Sequence, residues 1–230
     1  DASEIMNVSL LTNAYYPSQN ITEQEFLKFK TNFLIKTSEL DLIEEFLINN
    51  QVTNSHPKLT RYLVDNYLSD SDIKKSCEFF SKIKKPVEDE YLSKFNLYCL
   101  INYGKNEEAQ LILDLKKELG FQDEYFENKI NYLFGYIEEA STETSEDSIL
   151  DFHLAHRTNS EFTFQPNETT SQLIWKYLSN SNLLPDLNNI ETNDEDKISV
   201  IEKATHYKIY SEKELFEHYK KFQFSINQLL

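Results

Sequence analysis

Apolar side chains recur at helical spacing between residues 88 and 120. The positions that share the two predicted faces are Leu92, Phe95, Cys99 and Leu100 in the first half and Ala109, Ile112 and Leu113 in the second. A spacing of three and four residues is typical of an amphipathic helix with one buried face. Gly104 lies between the halves and Gly120 follows the second. The stretch therefore predicts a helical hairpin, which has too little core to be stable alone.

Two earlier stretches repeat this hairpin, and all three superimpose without gaps at a period of 33 residues. The matched apolar columns are Phe26, Leu59 and Leu92; Phe29, Tyr62 and Phe95; Leu34, Tyr67 and Leu100; Ile43, Ser76 and Ala109; Phe46, Phe79 and Ile112; and Leu47, Phe80 and Leu113. Helix pairs of this period are typical of tetratricopeptide-like repeats, in which stacking buries the faces that single units leave open. The pattern predicts an all-α fold, an α-solenoid of tetratricopeptide-like hairpins.

The chain divides into three predicted regions. Residues 1–21 form an N-terminal segment with a short helix before Pro17, residues 22–156 an array of about four helix pairs, and residues 157–230 a C-terminal helical cap packed on the array. Capping-box patterns are those of Thr22 with Glu25, Thr169 with Gln172, and Ser211 with Glu214. The polar stretches at residues 138–147 and 186–196 predict loops.

Composition narrows the classes of function. Three glycines and five prolines argue against an all-β fold and against glycine-rich phosphate loops. A net charge of −16 would repel nucleic acid and an anionic membrane surface. No apolar run is long enough to span a bilayer. Because the chain begins at Asp1, we expect either that a leader was removed or that the chain is a fragment of a longer protein.

Several segments resemble an uncharacterised family of alphaproteobacterial helical-repeat proteins. They are EAQLILDLKKELGFQDEYF, DFHLAHRT, LIWKYL and IEKATHYKIYSEKELFEHYKKF. The resemblance implies export to the periplasm or cell envelope, with the cytoplasm as the alternative. It implies no catalytic residue and no cofactor.

Cys77 and Cys99 have neither CxxC nor zinc-type spacing. Folding about Pro86 predicts that Cys77 faces Phe95 rather than Cys99. An offset of about four residues at about 1.5 Å each, added to a helix separation of ~8–10 Å, exceeds the ~7 Å limit for disulfide Cα atoms. We therefore predict that the two cysteines are not bonded to each other.

One column of the repeat is charged. Lys28, Arg61 and Lys94 are separated by 33 residues each and fall nearly opposite the buried stripe. The residues one turn later in the same helices are Asn32, Asp65 and Tyr98. Stacking would align these six residues in a groove lined by the first helices. There they would receive an acidic peptide or a C-terminal carboxylate, unless they form an ordinary solvated face.

His153 and His156 lie three apart on a predicted helix, with Asp151 nearby, but no spacing supplies a third metal ligand. We predict no metal and no catalytic residue. Trp175 lies in a helix that is apolar around most of its circumference, which favours a place in the core.

The sequence predicts a non-enzymatic scaffold that binds a protein or peptide. The alternative is an enzyme or small-ligand-binding domain with a pocket around His153, His156 and Trp175, between the array and the C-terminal segment. A structural subunit that docks by the ends of its solenoid is a third hypothesis. Oligomeric state stays open.

Overall fold

The fold is all-α. A computed structural model describes residues 2–12, 15–17, 19–167, 169–184 and 195–220, which form twelve helices and no strand. The helices are α1 Ala2–Leu11, α2 Glu23–Thr37, α3 Leu40–Asn50, α4 Pro57–Ser69, α5 Ile73–Ser81, α6 Glu90–Asn102, α7 Asn106–Glu118, α8 Glu124–Phe134, α9 Ile149–Thr158, α10 Gln172–Asn180, α11 Glu195–His206 and α12 Glu212–Tyr219.

Helix starts follow the period of the sequence. The first helices α2, α4, α6 and α8 begin at residues 23, 57, 90 and 124, and the second helices α3, α5 and α7 begin at 40, 73 and 106. Side-chain caps fix several of these starts. Asp89 and Asp123 accept the backbone N–H groups of Leu92 and Phe126, and Thr22 forms the predicted capping box with Glu25. The six helices predicted within residues 23–118 are therefore present.

Fourteen of the eighteen positions in the matched columns are buried, but the repeats are not equivalent. Leu34, Tyr67 and Leu100 are all buried. In the next column, Phe95 is fully buried, Tyr62 is half-buried and Phe29 is 45% exposed. Aromatic residues at the same position of the repeat are therefore buried to different extents.

The chain forms two compact units. Unit 1 comprises Asp1–Leu68 and Asp72–Ser141, and unit 2 comprises Ser69–Ser71 and Thr142–Leu230. The sequence placed the boundary at residues 156–157, so that α9 would complete a fourth helix pair. Instead α9 belongs to unit 2, where Phe152 meets the ring edges of Phe162 and Phe164 at centroid distances of 5.5 and 4.8 Å. The intervening stretch at residues 138–147 is a loop, as predicted.

Cys77 and Cys99 are bonded to each other, so the prediction of unpaired cysteines is wrong. Their Cα atoms lie 5.1 Å apart. The prediction used the distance between helix axes, but Cα atoms on facing sides approach each other by up to a helix radius of about 2.3 Å per helix. It also assumed a symmetric fold about Pro86, whereas residues 82–89 form a non-helical connection. Phe80, not Cys77, stacks on Phe95 at 5.4 Å.

Local predictions in unit 2 have mixed outcomes. The Ser211–Glu214 capping box is present at α12. At α10 the cap is Ser171, whose hydroxyl accepts the Ile174 N–H, and not the predicted Thr169. Trp175 is 1% exposed, which confirms that it belongs to the core. The predicted loop at 186–196 lies mostly outside the described residues.

Candidate functional site

Two cations of the predicted basic column, Arg61 and Lys94, make ion pairs between successive helix pairs. The Arg61 guanidinium donates to both carboxylate oxygens of Asp89, at 3.0 Å from Nε and 2.7 Å from Nη2. One repeat later, Lys94 Nζ donates to Asp123 at 2.6 Å. Both aspartates are also the N-caps of the next first helix. Each cation therefore ties its own helix to the start of the next one.

This arrangement changes the meaning of the column. Lys94 does not lie on an ordinary solvated face, the alternative considered for this column, because it is only 8% exposed. Lys94 is buried because it pairs with Asp123, the N-cap residue of α8. The comparison of the repeats in the sequence did not relate that aspartate to the lysine. Lys28 is exposed. One repeat before Asp89, the corresponding residue is His56, so Lys28 meets no aspartate at that position of the repeat. The three cations therefore do not form a uniform exposed strip.

The polar residues predicted beside the cations also contact the following helix. Asn32 accepts a hydrogen bond from Lys58 Nζ at 3.0 Å, and Asp65 accepts one from the Tyr91 hydroxyl at 2.5 Å. Burial raises the pKa of Asp65 to about 6, although the Tyr91 hydrogen bond opposes this shift. Tyr98 is 2% exposed. Asn32 and Asp65 therefore connect successive repeats, and of the three side chains only Asn32 is exposed.

An exposed apolar face lies on α7, where the sequence predicted only the buried stripe of that helix. Leu111 is 61% exposed, Leu115 is 51% exposed, and Leu119, the C-cap residue, is 89% exposed. Residues four apart on an α-helix differ by only about 40° in direction around the helix axis. The three side chains therefore share one side of the helix, which we call the leucine face. Ala109 and Leu113 fill the core on the other side. The spacing of four was visible in the sequence but was masked by the stronger buried stripe.

Carboxylates flank the leucine face at both ends. Glu107 and Glu108 precede it by one turn, Glu118 lies beside Leu115 and Leu119, and all three are exposed. Glu108 makes an exposed ion pair with Lys105 at 3.4 Å. Lys117 lies on the opposite side of the helix and pairs with Glu127 at 2.6 Å. Lys116, three residues before Leu119, borders the C-terminal end of the face on the side away from Glu118. The leucine face is therefore apolar in the centre and acidic at its N-terminal end, with Glu118 and Lys116 on opposite sides of its C-terminal end.

Two histidines of unit 2 share one tyrosine hydroxyl. The Tyr177 oxygen lies 2.9 Å from His153 Nδ1 and 2.7 Å from His156 Nδ1. Burial lowers the pKa of His153 to about 3, helped by the charges of His156 and Arg157, and burial also lowers the pKa of His156. Both rings are therefore neutral at pH 7. Because a hydroxyl donates only one hydrogen bond, one ring carries its proton on Nδ1 and the other on Nε2.

Asp151 does not complete a ligand set with these histidines. Its carboxylate accepts the Ser148 hydroxyl at 2.6 Å, at the start of α9. Within the described ranges, no three histidine, cysteine or acidic side chains come together as a group able to hold a metal ion. The arrangement suits a fixed hydrogen-bonded core cluster.

A cavity of about 830 Å³ lies within unit 2. Its walls come from the segment before α10, from α10 itself, from the residues after α10 and from α11. The apolar side chains that line it include Phe162, Phe164, Trp175, Leu184 and Val200. Lys203 and His206 border it from α11. Trp175 is thus both a core residue and part of the cavity wall.

The chain has no match among protein-family models, curated proteins or solved structures. The resemblance to alphaproteobacterial repeat proteins remains a prediction. Across the part of the chain that the structure describes, no helix combines the length and apolar character needed to cross a membrane.

Proposed function

We propose that this protein is a helical-repeat scaffold that binds another protein through the leucine face of α7. The observation that carries the proposal is the exposure of Leu111, Leu115 and Leu119 on one side of one helix. Single exposed apolar side chains are ordinary, but an exposed apolar stripe with a polar rim is typical of interaction sites. An apolar stripe at helical spacing suits a partner helix that lays its own apolar face against it.

The carboxylates around the leucine face indicate a basic partner. Glu107, Glu108 and Glu118 add to a chain whose net charge is −16. In a parallel pair, a second copy of α7 would place Glu107 and Glu108 against their own counterparts, and like charges in an interface are unfavourable. A basic amphipathic helix would instead bring lysines or arginines to these carboxylates. This partner differs from the acidic peptide predicted for the basic column, whose Arg61 and Lys94 are already paired.

The test uses a synthetic amphipathic peptide of about five helical turns, with leucines on one face and lysines on both sides of it. We expect wild-type protein to bind it and the double variant Leu111→Ser/Leu115→Ser to bind at least about tenfold more weakly, because each leucine buried at an interface contributes about 1.5 kcal/mol or more. Fluorescence anisotropy of the labelled peptide gives both dissociation constants.

The matched control is Leu42→Ser, which removes a leucine that is 41% exposed but lies on α3. This variant should bind the peptide as wild type does. Thermal unfolding of all three proteins shows whether the substitutions disturb the fold. Equal peptide affinity for wild type and the double variant would refute the leucine face as the binding site. Equal binding of a peptide in which every lysine is replaced by glutamate would refute the basic partner.

We also propose an oxidising compartment such as the periplasm. The support is the Cys77–Cys99 disulfide, since structural disulfides persist in oxidising compartments and are rare in the cytosol. This proposal agrees with what the family resemblance implies.

A further inference from the structure

We propose that the cavity of unit 2 binds a long-chain carboxylate, a molecule with an apolar tail and one anionic end. This site differs from the leucine face, which lies in unit 1. The two proposals are therefore tested independently. The cavity volume of about 830 Å³ lies in the range of about 300–1,000 Å³ that is typical of small-molecule sites.

The apolar part of the lining indicates the tail. Phe162 and Trp175 are almost fully buried and form a fixed wall, while Phe164 and Val200 are half-buried at the cavity. Phe162 and Phe164 are held by edge-on contacts with the Phe152 ring. Aromatic side chains fixed in this way give a preformed surface, so a ligand would not have to order them on binding.

The charged part of the lining indicates the anionic end. Lys203 and His206 lie one turn apart on α11, and both border the cavity. Lys203 Nζ lies 5.6 Å from the centre of the Tyr207 ring, and that ring lies 6.1 Å from the Trp175 ring. Glu202 also borders the cavity, but it is exposed and accepts a hydrogen bond from the Tyr219 hydroxyl. A carboxylate beside Lys203 would gain a charge-assisted hydrogen bond.

Trp175 reports on the cavity directly because it is the chain's one tryptophan. Titration with dodecanoate should therefore give a saturable change in intrinsic tryptophan fluorescence, and calorimetry should give the same dissociation constant. Octanoate should bind at least about tenfold more weakly, since each methylene buried contributes to affinity. Dodecanol, which lacks the charge, should also bind about tenfold more weakly than dodecanoate.

Two variants test the two parts of the site. Lys203→Met should bring the affinity for dodecanoate down to that for dodecanol, while Lys213→Met, an exposed lysine on α12, should leave both unchanged. Val200→Phe should narrow the apolar part of the cavity and weaken the binding of both ligands, with far-UV circular dichroism as the check on folding. If Val200→Phe does not fold, the Lys203 comparison alone decides.

Several outcomes, each sufficient alone, would overturn the proposal. The first is that dodecanoate gives neither a saturable fluorescence change nor a binding heat. The second is that wild type binds dodecanoate and dodecanol with equal affinity. The third is that Lys203→Met binds dodecanoate as tightly as wild type does. Tighter binding of dodecanol than dodecanoate would assign the cavity to an uncharged apolar ligand and would likewise refute the carboxylate.

Discussion

Removal of the Cys77–Cys99 disulfide is expected to lower the free energy of unfolding by about 3 kcal/mol. The bond closes a loop between cysteines 22 residues apart. In the chain-entropy account, a cross-link of this span restricts the unfolded chain by about 3 kcal/mol at 25 °C. Urea unfolding of the oxidised wild type and of Cys77→Ala/Cys99→Ala measures the difference.

A reductant separates the effect of the bond from that of the substitutions. It should shift the unfolding curve of wild type towards that of the double variant and leave the variant's own curve unchanged. Intact mass before and after reduction, with the two thiols mapped by alkylation, shows whether the bond was present. The expected stabilisation would be contradicted if the wild-type unfolding curves with and without reductant coincide, although alkylation shows that the bond was fully reduced.

The second large effect is expected at Phe95. This side chain is fully buried, stacks on Phe80 at 5.4 Å and meets the Tyr91 ring edge at 6.2 Å. Phe95→Ala should lower the free energy of unfolding by about 3–5 kcal/mol, because the lost transfer energy is joined by the cost of a cavity. Chemical unfolding followed by circular dichroism measures this loss.

Phe29 is the matched control, because it occupies the same column of the repeat and is 45% exposed. Phe29→Ala should cost only about 1 kcal/mol, since much of its apolar surface stays in water in the folded state. Equal costs at Phe29 and Phe95 would mean that the repeats are energetically equivalent, against the burial described above.

The helices of unit 1 were predictable because their apolar spacing and their caps agree. Thr22 with Glu25 marks the start of α2, and the period of 33 residues sets the later starts to within one residue. Local signals of this kind depend only on neighbours within a few turns. The loop at residues 138–147 was equally visible because it lacks any apolar period.

Contacts between helices were less predictable. The Lys94–Asp123 pair joins residues far apart in sequence, and the period alone does not show that an N-cap carboxylate reaches back to the preceding repeat. The disulfide requires a particular offset between α5 and α6 along their lengths. The non-helical connection at residues 82–89 does not fix this offset, so it is set by tertiary packing. The leucine face was hidden because a helix with apolar residues on two sides does not reveal which side is covered.

Charge reversal tests the central claim, that the leucine face binds a basic helix, most directly. In the variant Glu107→Lys/Glu108→Lys/Glu118→Lys the leucines stay in place while the flanking charge changes sign. We predict that this variant loses affinity for the lysine-flanked peptide by about tenfold or more and gains affinity for the glutamate-flanked one. An unchanged preference for the lysine-flanked peptide in anisotropy measurements at equal ionic strength would contradict it.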